Sequence, residues 1–341
     1  MVDTVLDRFF SLAKNRAGAF GPEYVRLWER LERGADGGKR FRPRMVMAAY
    51  EGLGGEDSDA AAYVGASFEL LHTALIVHDD VIDRDFVRRG IPNISGSYRD
   101  IATTAGLAVP TAEHRGMSAA VVAGDLALFN SYRLIDRSGV TGDVRERLLE
   151  ILDDALFASA AGEMIDVDFS ISAGVPSVDE VLWMERLKTA VYSFECPLQA
   201  GAVLAGASED VVALLGRFGR EVGIAYQIVD DLLGVFGDET ETGKTTIGDL
   251  REGKRTTLIA HAATTPFWGE LKPYIGKSDL SIAEAAAAAV LLEKAGSKAF
   301  TEALVADHAV RALQMLDDPR LPEGLCFELS SLADDVLRRV R

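Results

Sequence analysis

The chain has 341 residues, 48% hydrophobic and 26% charged, with 32 Gly, 10 Pro and two Cys; this composition supports a sizeable core and excludes disorder, collagen-like repeats and a disulfide scaffold. Thirty-six Lys and Arg against 53 Asp and Glu leave a formal charge of -17, which repels a polyphosphate backbone and argues against nucleic acid as a partner. Cys196 and Cys326 are too few and too far apart for a zinc set, charges interrupt the apolar residues of the first twenty positions, and no stretch approaches the roughly 18 uncharged apolar residues of a membrane span, so a cytoplasmic protein without such a span is expected.

Apolar residues recur at i, i+3, i+4 and i+7 along the whole chain and period-two alternation is hard to find, which predicts an all-α fold. The first helices are predicted over 3–17, 22–34, 43–53 and 59–84. Gly37-Gly38 and the basic cluster Lys39, Arg40, Arg42 and Arg44 stand at the start of the third, where Pro43 suits a first helical turn. The fourth is apolar almost all round until it ends in acids, and at 1.5 Å per residue it would run about 37 Å, the pattern of a central helix. A second basic cluster, Arg84, Arg88 and Arg89, follows it, and Gly90 and Pro92 stop the helix. Residues 90–115 are predicted to be the longest loop. Further helices are predicted over 116–137, 142–169, 178–193 with Ser177 or Asp179 as cap, 196–206, 209–236, 255–264, 280–295, 297–316 and 325–339; Arg251, Lys254 and Arg255 form a third basic cluster. Without a Pro/Ser linker, a composition shift or a solenoid repeat, residues 1–341 are expected to form a single domain.

Aspartate pairs alone mean little in so acidic a chain. Asp334-Asp335 meets Arg338 and Arg339 four residues on, as a salt-bridged last helical turn would, and Asp153-Asp154 lacks companions. HTALIVHDDVIDRD differs, because Asp79, Asp80 and Asp83 close a long apolar helix. Asp79 and Asp83 share a face, with Asp80 turned about 100° away. Three carboxylates in that setting repel one another unless a cation sits between them, and magnesium, which keeps water and phosphate oxygens alongside one or two carboxylates, suits the position; a solvated helix end is the alternative. YQIVDDLLGVFGDETETGK repeats the pattern with Asp230 and Asp231, which requires the two helices to meet if the clusters are to cooperate. GGKRFRPRM reads as an anion site at a helix N-terminus or as a solvated basic loop.

The order of these motifs resembles the trans-isoprenyl diphosphate synthase (polyprenyl synthetase) family. GGKRFRP, His72 within LLHTALIVHDDVID, RRG, GEMID (162–166), LKTA (187–190), QIVDDLLG, GK (243–244) and DLREGKRT (249–256) follow that family's signatures from about residue 37 to 257. The resemblance implies a single-domain helical bundle around a deep central cavity, usually a homodimer, that condenses isopentenyl diphosphate with an allylic diphosphate. It implies Asp79, Asp80 and Asp83, with Asp230 and Asp231, as ligands of magnesium, three ions per site. Arg88, Lys188, Thr189, Gln227, Lys244 and Lys254 would bind the allylic diphosphate, and Lys39, Arg42, His72 and Arg89 isopentenyl diphosphate. The carboxylates and Lys188 would carry the ionisation, in which dense positive charge meets the leaving diphosphate.

Two departures stand out. The second Asp-rich motif usually reads Asp-Asp-x-x-Asp, and Gly234 occupies the third position, with Asp238 further on as a possible substitute; after RRG the chain has Pro92-Asn93-Ile94-Ser95 in place of Pro-Thr-Val-His. Chain length is read from Ala74 and Leu75, five and four residues before Asp79, where a small residue argues against an early stop, and from Phe68 as a deeper floor. Geranylgeranyl diphosphate, as made by bacterial synthases of this kind, is the expected product, with longer polyprenyl chains as the alternative. A terpene cyclase needs no second diphosphate site, and a catalytically silent subunit typically loses acids or bases from these motifs.

Overall fold

The computed structural model describes residues 1–38, 40–88, 90–237 and 247–337. Among these residues the regular structure is helical apart from a ribbon of two two-residue strands. Val2–Ala17 (α1), Pro22–Ala35 (α2), Phe41–Gly52 (α3) and Ser58–Ile82 (α4) come first. Val87–Arg88 (β1) then pairs antiparallel with Ile91–Pro92 (β2). Next are Ile94–Thr104 (α5), Val109–Asp136 (α6), Gly142–Ile171 (α7) and Val178–Glu185 (α8), the last running into a π-helical stretch, Arg186–Glu195. Cys196–Leu204 (α9), Glu209–Phe236 (α10), Gly248–Glu252 (α11), Thr257–Ala262 (α12), Trp268–Leu271 (α13), Ile282–Lys294 (α14), Ser297–Met315 (α15) and Glu323–Leu337 (α16) complete the order.

The helices gather into two compact units, one of Met1–Leu152 with Ala200–Gly206, the other of Asp153–Gln199 with the chain from Ala207 on. In the first, α4 is the central helix, packed by α1, α2, α3 and α6. Its Ala66, Leu70, Ala74 and Val77, spaced four, four and three apart, belong to one core with Ala120, Ala123 and Ala127 of α6 and the aromatic cluster Phe9, Phe10 and Trp28. Alanines on both partners let the two helices approach closely. In the second unit α10 is central, packed by the π-helical stretch, α15 and α16. Its Ile224, Ile228, Leu232 and Val235 bury against Leu250, Leu258, Leu292 and Val305. Ser177, one of the two caps expected for its helix, closes a capping box with Glu180, and Ser281 does the same with Glu284.

Three expectations are corrected. Residues 90–115 are not one loop: they contain α5 and the start of α6. Ser, Gly and Thr make 94–104 a poor intrinsic helix, but Asn93 caps it by accepting a hydrogen bond from Gly96 N at 2.8 Å, and the buried Tyr98 donates its hydroxyl hydrogen to Glu23 O at 3.1 Å, so tertiary packing overrides propensity. The predicted α-helix 178–193 widens into π geometry from Arg186, which shifts the facing of LKTA. Finally, α4 is long and apolar enough to cross a bilayer by length and composition, against the expectation that no stretch would be; most of its residues are buried inside the protein, as in a core helix.

Candidate functional site

In the first unit the acids lie at the C-terminal end of α4. Asp80 is buried, Asp79 half-buried and Asp83 exposed, as their angular spacing on the helix requires. Arg84, with φ of 58°, turns the chain back in a left-handed conformation, and the β1–β2 ribbon then carries Arg88 over the helix end. Its Nε donates to Asp80 Oδ1 at 2.7 Å and its Nη2 to Asp79 Oδ2 at 3.2 Å. Burial nevertheless pushes the Asp80 carboxyl up to about 6; Arg88 opposes this, and Asp79 and Asp85 add to it. The site thus contains a buried acid whose desolvation Arg88 only partly offsets.

His72 lies half-buried seven residues before Asp79, two turns down α4, and Arg42 half-buried in the first turn of α3. Arg40 of the same basic cluster acts as a clamp: it adopts the left-handed conformation and bonds Ala35 O at 2.7 Å and the buried Glu69 at 2.9 Å. His78 pairs with Asp125 at 3.3 Å, and its ring fills the space beside Gly124, where a Cβ would stand 2.2 Å from Nε2. Deeper in α4, Ala74 and Phe68 are fully buried and Leu75 half-buried. Lys39, Arg89, Asp238 and Lys244 lie outside the described residues.

In the second unit Gln227, Asp230, Asp231 and Gly234 follow one another at helical spacing on α10. Thr189 of the π-helical stretch donates to Gln227 Oε1 at 3.0 Å, and Gln227 Nε2 donates to Asp231 Oδ1 at 3.0 Å, a chain that fixes the amide orientation and aims it at the acid. Lys188 Nζ bonds Asp166 at 2.6 Å and Glu163 at 3.0 Å, so the GEMID signature holds the lysine in place. Burial pushes Asp231 up to about 7, with Asp249 and Asp230 adding to the shift; hydrogen bonds involving Glu185 and Gln227 oppose it. Glu185, 2% exposed, is displaced upward for the same reason, burial first, then the charge of Asp231 and a hydrogen bond shared with that carboxyl, with Asp166 adding; among the described residues its oxygens have no other hydrogen-bond partner.

Sequence reasoning missed Glu185, Asp249 and the clamp residues Glu163 and Asp166. The last three sit inside recognised signatures, so spacing could have found them; Glu185 is marked only by standing four residues after buried Val181, on the inward face of α8.

These acids fit a divalent cation. Asp80 in the first unit and Asp231 with Glu185 in the second are buried carboxyls held above the usual range; a cation in each unit would relieve them by supplying positive charge. Among the described residues no three Asp, Glu, His or Cys side chains already converge on one point. A hard ion held by one or two carboxylates and completed by water and phosphate oxygens, as magnesium is, matches that arrangement better than an all-protein cage.

Residues 28–292 match the polyprenyl synthetase family model. The chain is 32% identical over 225 residues to the geranylgeranyl diphosphate synthase of Sulfolobus acidocaldarius, an alignment spanning 65% of this chain and 62% of that relative. It is 32% identical over 310 residues to the geranylfarnesyl diphosphate synthase of Aeropyrum pernix, across 89% of this chain and 91% of that one. Among solved structures it superposes with a TM-score of 0.92 on a geranylgeranyl pyrophosphate synthase from Corynebacterium glutamicum, complexed with isoprenyl diphosphate and magnesium, at 28% identity over 99% of this chain and 97% of the other.

Proposed function

This chain belongs to the polyprenyl synthetase family, and from that premise we propose that it is a magnesium-dependent trans-prenyltransferase condensing isopentenyl diphosphate with an allylic diphosphate: dimethylallyl, geranyl or farnesyl diphosphate. The observation that carries this reading is the pair of acid-rich helix segments, each with buried carboxyls displaced upward and each provided with basic or amide side chains at hydrogen-bond distance.

Asp79, Asp80 and Asp83 would hold magnesium on the allylic diphosphate, and Asp230 and Asp231 a further ion, three ions in all. When bound, the metal supplies positive charge to the leaving diphosphate. Arg88, Lys188, Thr189, Gln227, Lys244 and Lys254 bind that diphosphate, while Lys39, Arg42, His72 and Arg89 hold isopentenyl diphosphate. The allylic C–O bond breaks with its electron pair going to the diphosphate, whose growing charge the Lys and Arg groups stabilise. The isopentenyl double bond then attacks the allylic carbon, and the proton lost afterwards passes to the released diphosphate, so no side-chain base is needed. Arg88 has a second duty in the free protein, where its bonds to Asp79 and Asp80 partly neutralise the acids before metal arrives.

Geranylgeranyl diphosphate is the product we favour, on the small, buried Ala74 and the full burial of Phe68 two turns deeper. The relatives named above for geranylgeranyl and geranylfarnesyl products support a chain of that order and keep a longer polyprenyl product as the alternative. Residues 1–341 are read as a single synthase domain, supported by a family match that runs through both compact units. A homodimer is supported by exposed apolar side chains at seven-residue spacing, Val122 and Phe129 on α6 and Phe157, Met164 and Ile171 on α7, a pattern that suits burial against a second copy. Two free thiols and the burial of α4 support a cytoplasmic enzyme with no membrane span. The test is product analysis after incubation with magnesium, isopentenyl diphosphate and each allylic primer: elongation supports the reading, and a hydrocarbon released without elongation would point to cyclisation.

A further inference from the structure

Gly234 stands where the Asp-Asp-x-x-Asp pattern has its third acid, four residues after Asp230 and three after Asp231, on the same side of α10. The sequence offers Asp238, further along the chain, as a substitute for that acid. The structure places another group there: a Cβ built on Gly234 would lie 2.0 Å from Asp249 Oδ2 and 3.0 Å from its Cγ. The Asp249 carboxylate therefore occupies the space from which a side chain at 234 would grow, and only glycine leaves room for it. We infer that Asp249 supplies the third carboxylate of the second acid motif, and that Gly234 is the cradle that admits it.

Several observations agree with this placement. Asp249 stands in the first turn of α11, against Gly234, one turn along α10 from Asp230 and Asp231. Its other oxygen, Oδ1, lies 3.5 Å from Lys254 Nζ, and Lys254 N donates to Asp249 O at 3.0 Å, so the turn that closes α11 at Gly253 ties the acid to a diphosphate-binding lysine. Glu185, almost fully buried, stands beside Asp231, and among the described residues its oxygens have no hydrogen-bond partner other than that carboxyl. Glu185 of α8 and Asp249 of α11 thus flank the acids of α10, although among the described residues no three acids already converge on one point.

The inference rests on the reading that Asp230 and Asp231 hold magnesium. It is tested by titrating the full-length protein with manganese(II) in the presence of inorganic pyrophosphate, following free Mn(II) by electron paramagnetic resonance, with circular dichroism melting as the check on folding. Asp249→Asn is expected to weaken the ion held at Asp230–Asp231 roughly ten- to a hundredfold, the usual range for losing a group that supports a metal site, while ions held at the Asp79 cluster titrate as before. Gly234→Ala adds one uncharged methyl and should produce the same loss by displacing Asp249. The exchange Gly234→Asp with Asp249→Gly moves the acid back onto α10 and should recover most of the affinity. Wild-type binding in Asp249→Asn, alongside a clear loss in Asp230→Asn, overturns the assignment. So does a loss that Lys254→Met reproduces and the exchange does not repair, because Asp249 would then act only by orienting the lysine. No loss in either Asp249→Asn or Asp230→Asn overturns the magnesium reading itself, and the role of Asp249 with it.

Discussion

Asp80→Asn distinguishes a functional acid from a structural ion pair by the sign of its effect. Asp80 is 4% exposed, and its carboxyl is raised from 3.8 to about 6 despite the Arg88 hydrogen bond. An acid whose pKa is higher in the folded than in the unfolded protein keeps its proton in the fold at a pH where the unfolded chain has released it. Stability is therefore highest below pH 4, falls as pH rises through the window from about 4 to 6, and is level above it. A shift of that size corresponds to roughly 3 kcal/mol of penalty at pH 8 in the metal-free protein. Asparagine removes the charge while its carbonyl still accepts from Arg88, and Asp79 remains as a counterion for the guanidinium. The variant should thus be more stable than wild type by about 2–3 kcal/mol at pH 8 in EDTA, with the gain vanishing near pH 4, and should bind magnesium or manganese more weakly. Urea unfolding at the two pH values, followed by circular dichroism, measures the difference. If Asp80–Arg88 were a structural bridge, the substitution would instead cost about 3–5 kcal/mol at pH 8; that outcome would refute the reasoning.

Three further outcomes follow from named contacts. Ala74→Phe adds bulk at a fully buried position and should cost about 1–3 kcal/mol while shifting the product toward shorter chains; mass analysis of dephosphorylated products and a melting curve read both. Gly124→Ala pushes a methyl into the His78 ring and should destabilise by a similar 1–3 kcal/mol, and the added substitution His78→Ala should recover part of the loss, as a double-mutant cycle in urea would reveal. Gln227→Leu removes the donor to Asp231 and the acceptor of Thr189, so manganese titration should show weaker binding with little change in melting temperature, whereas Thr189→Val, one bond further out, should do less.

The long helices were legible because each buries a face wide enough to impose its period: 209–236 was predicted with the bounds observed, and 59–84 within two residues at each end. What eluded sequence reading was structure held by tertiary contact. The Asn93 cap and the Tyr98 hydrogen bond make α5 from residues with poor helix propensity, and the π geometry of 186–195 has no periodic signature at ten residues. The acids divide in the same way. Asp79, Asp80, Asp230 and Asp231 were visible as pairs in apolar helices, and family spacing brought in Lys188, Thr189 and Gln227. Glu185 stayed hidden because a single acid in an amphipathic segment reads as surface, and its burial depends on which way α8 faces. Asp249 stood inside the quoted signature DLREGKRT, but its place against Gly234 comes from another helix, a relation that this signature alone does not encode.

The proposed condensation is tested most directly by incubating the protein with magnesium, isopentenyl diphosphate and, separately, dimethylallyl, geranyl or farnesyl diphosphate, beside an Asp79→Ala protein, and weighing the dephosphorylated products. Elongation to a C20 chain, abolished in Asp79→Ala, is the result expected. Folded protein that elongates none of the primers would contradict it.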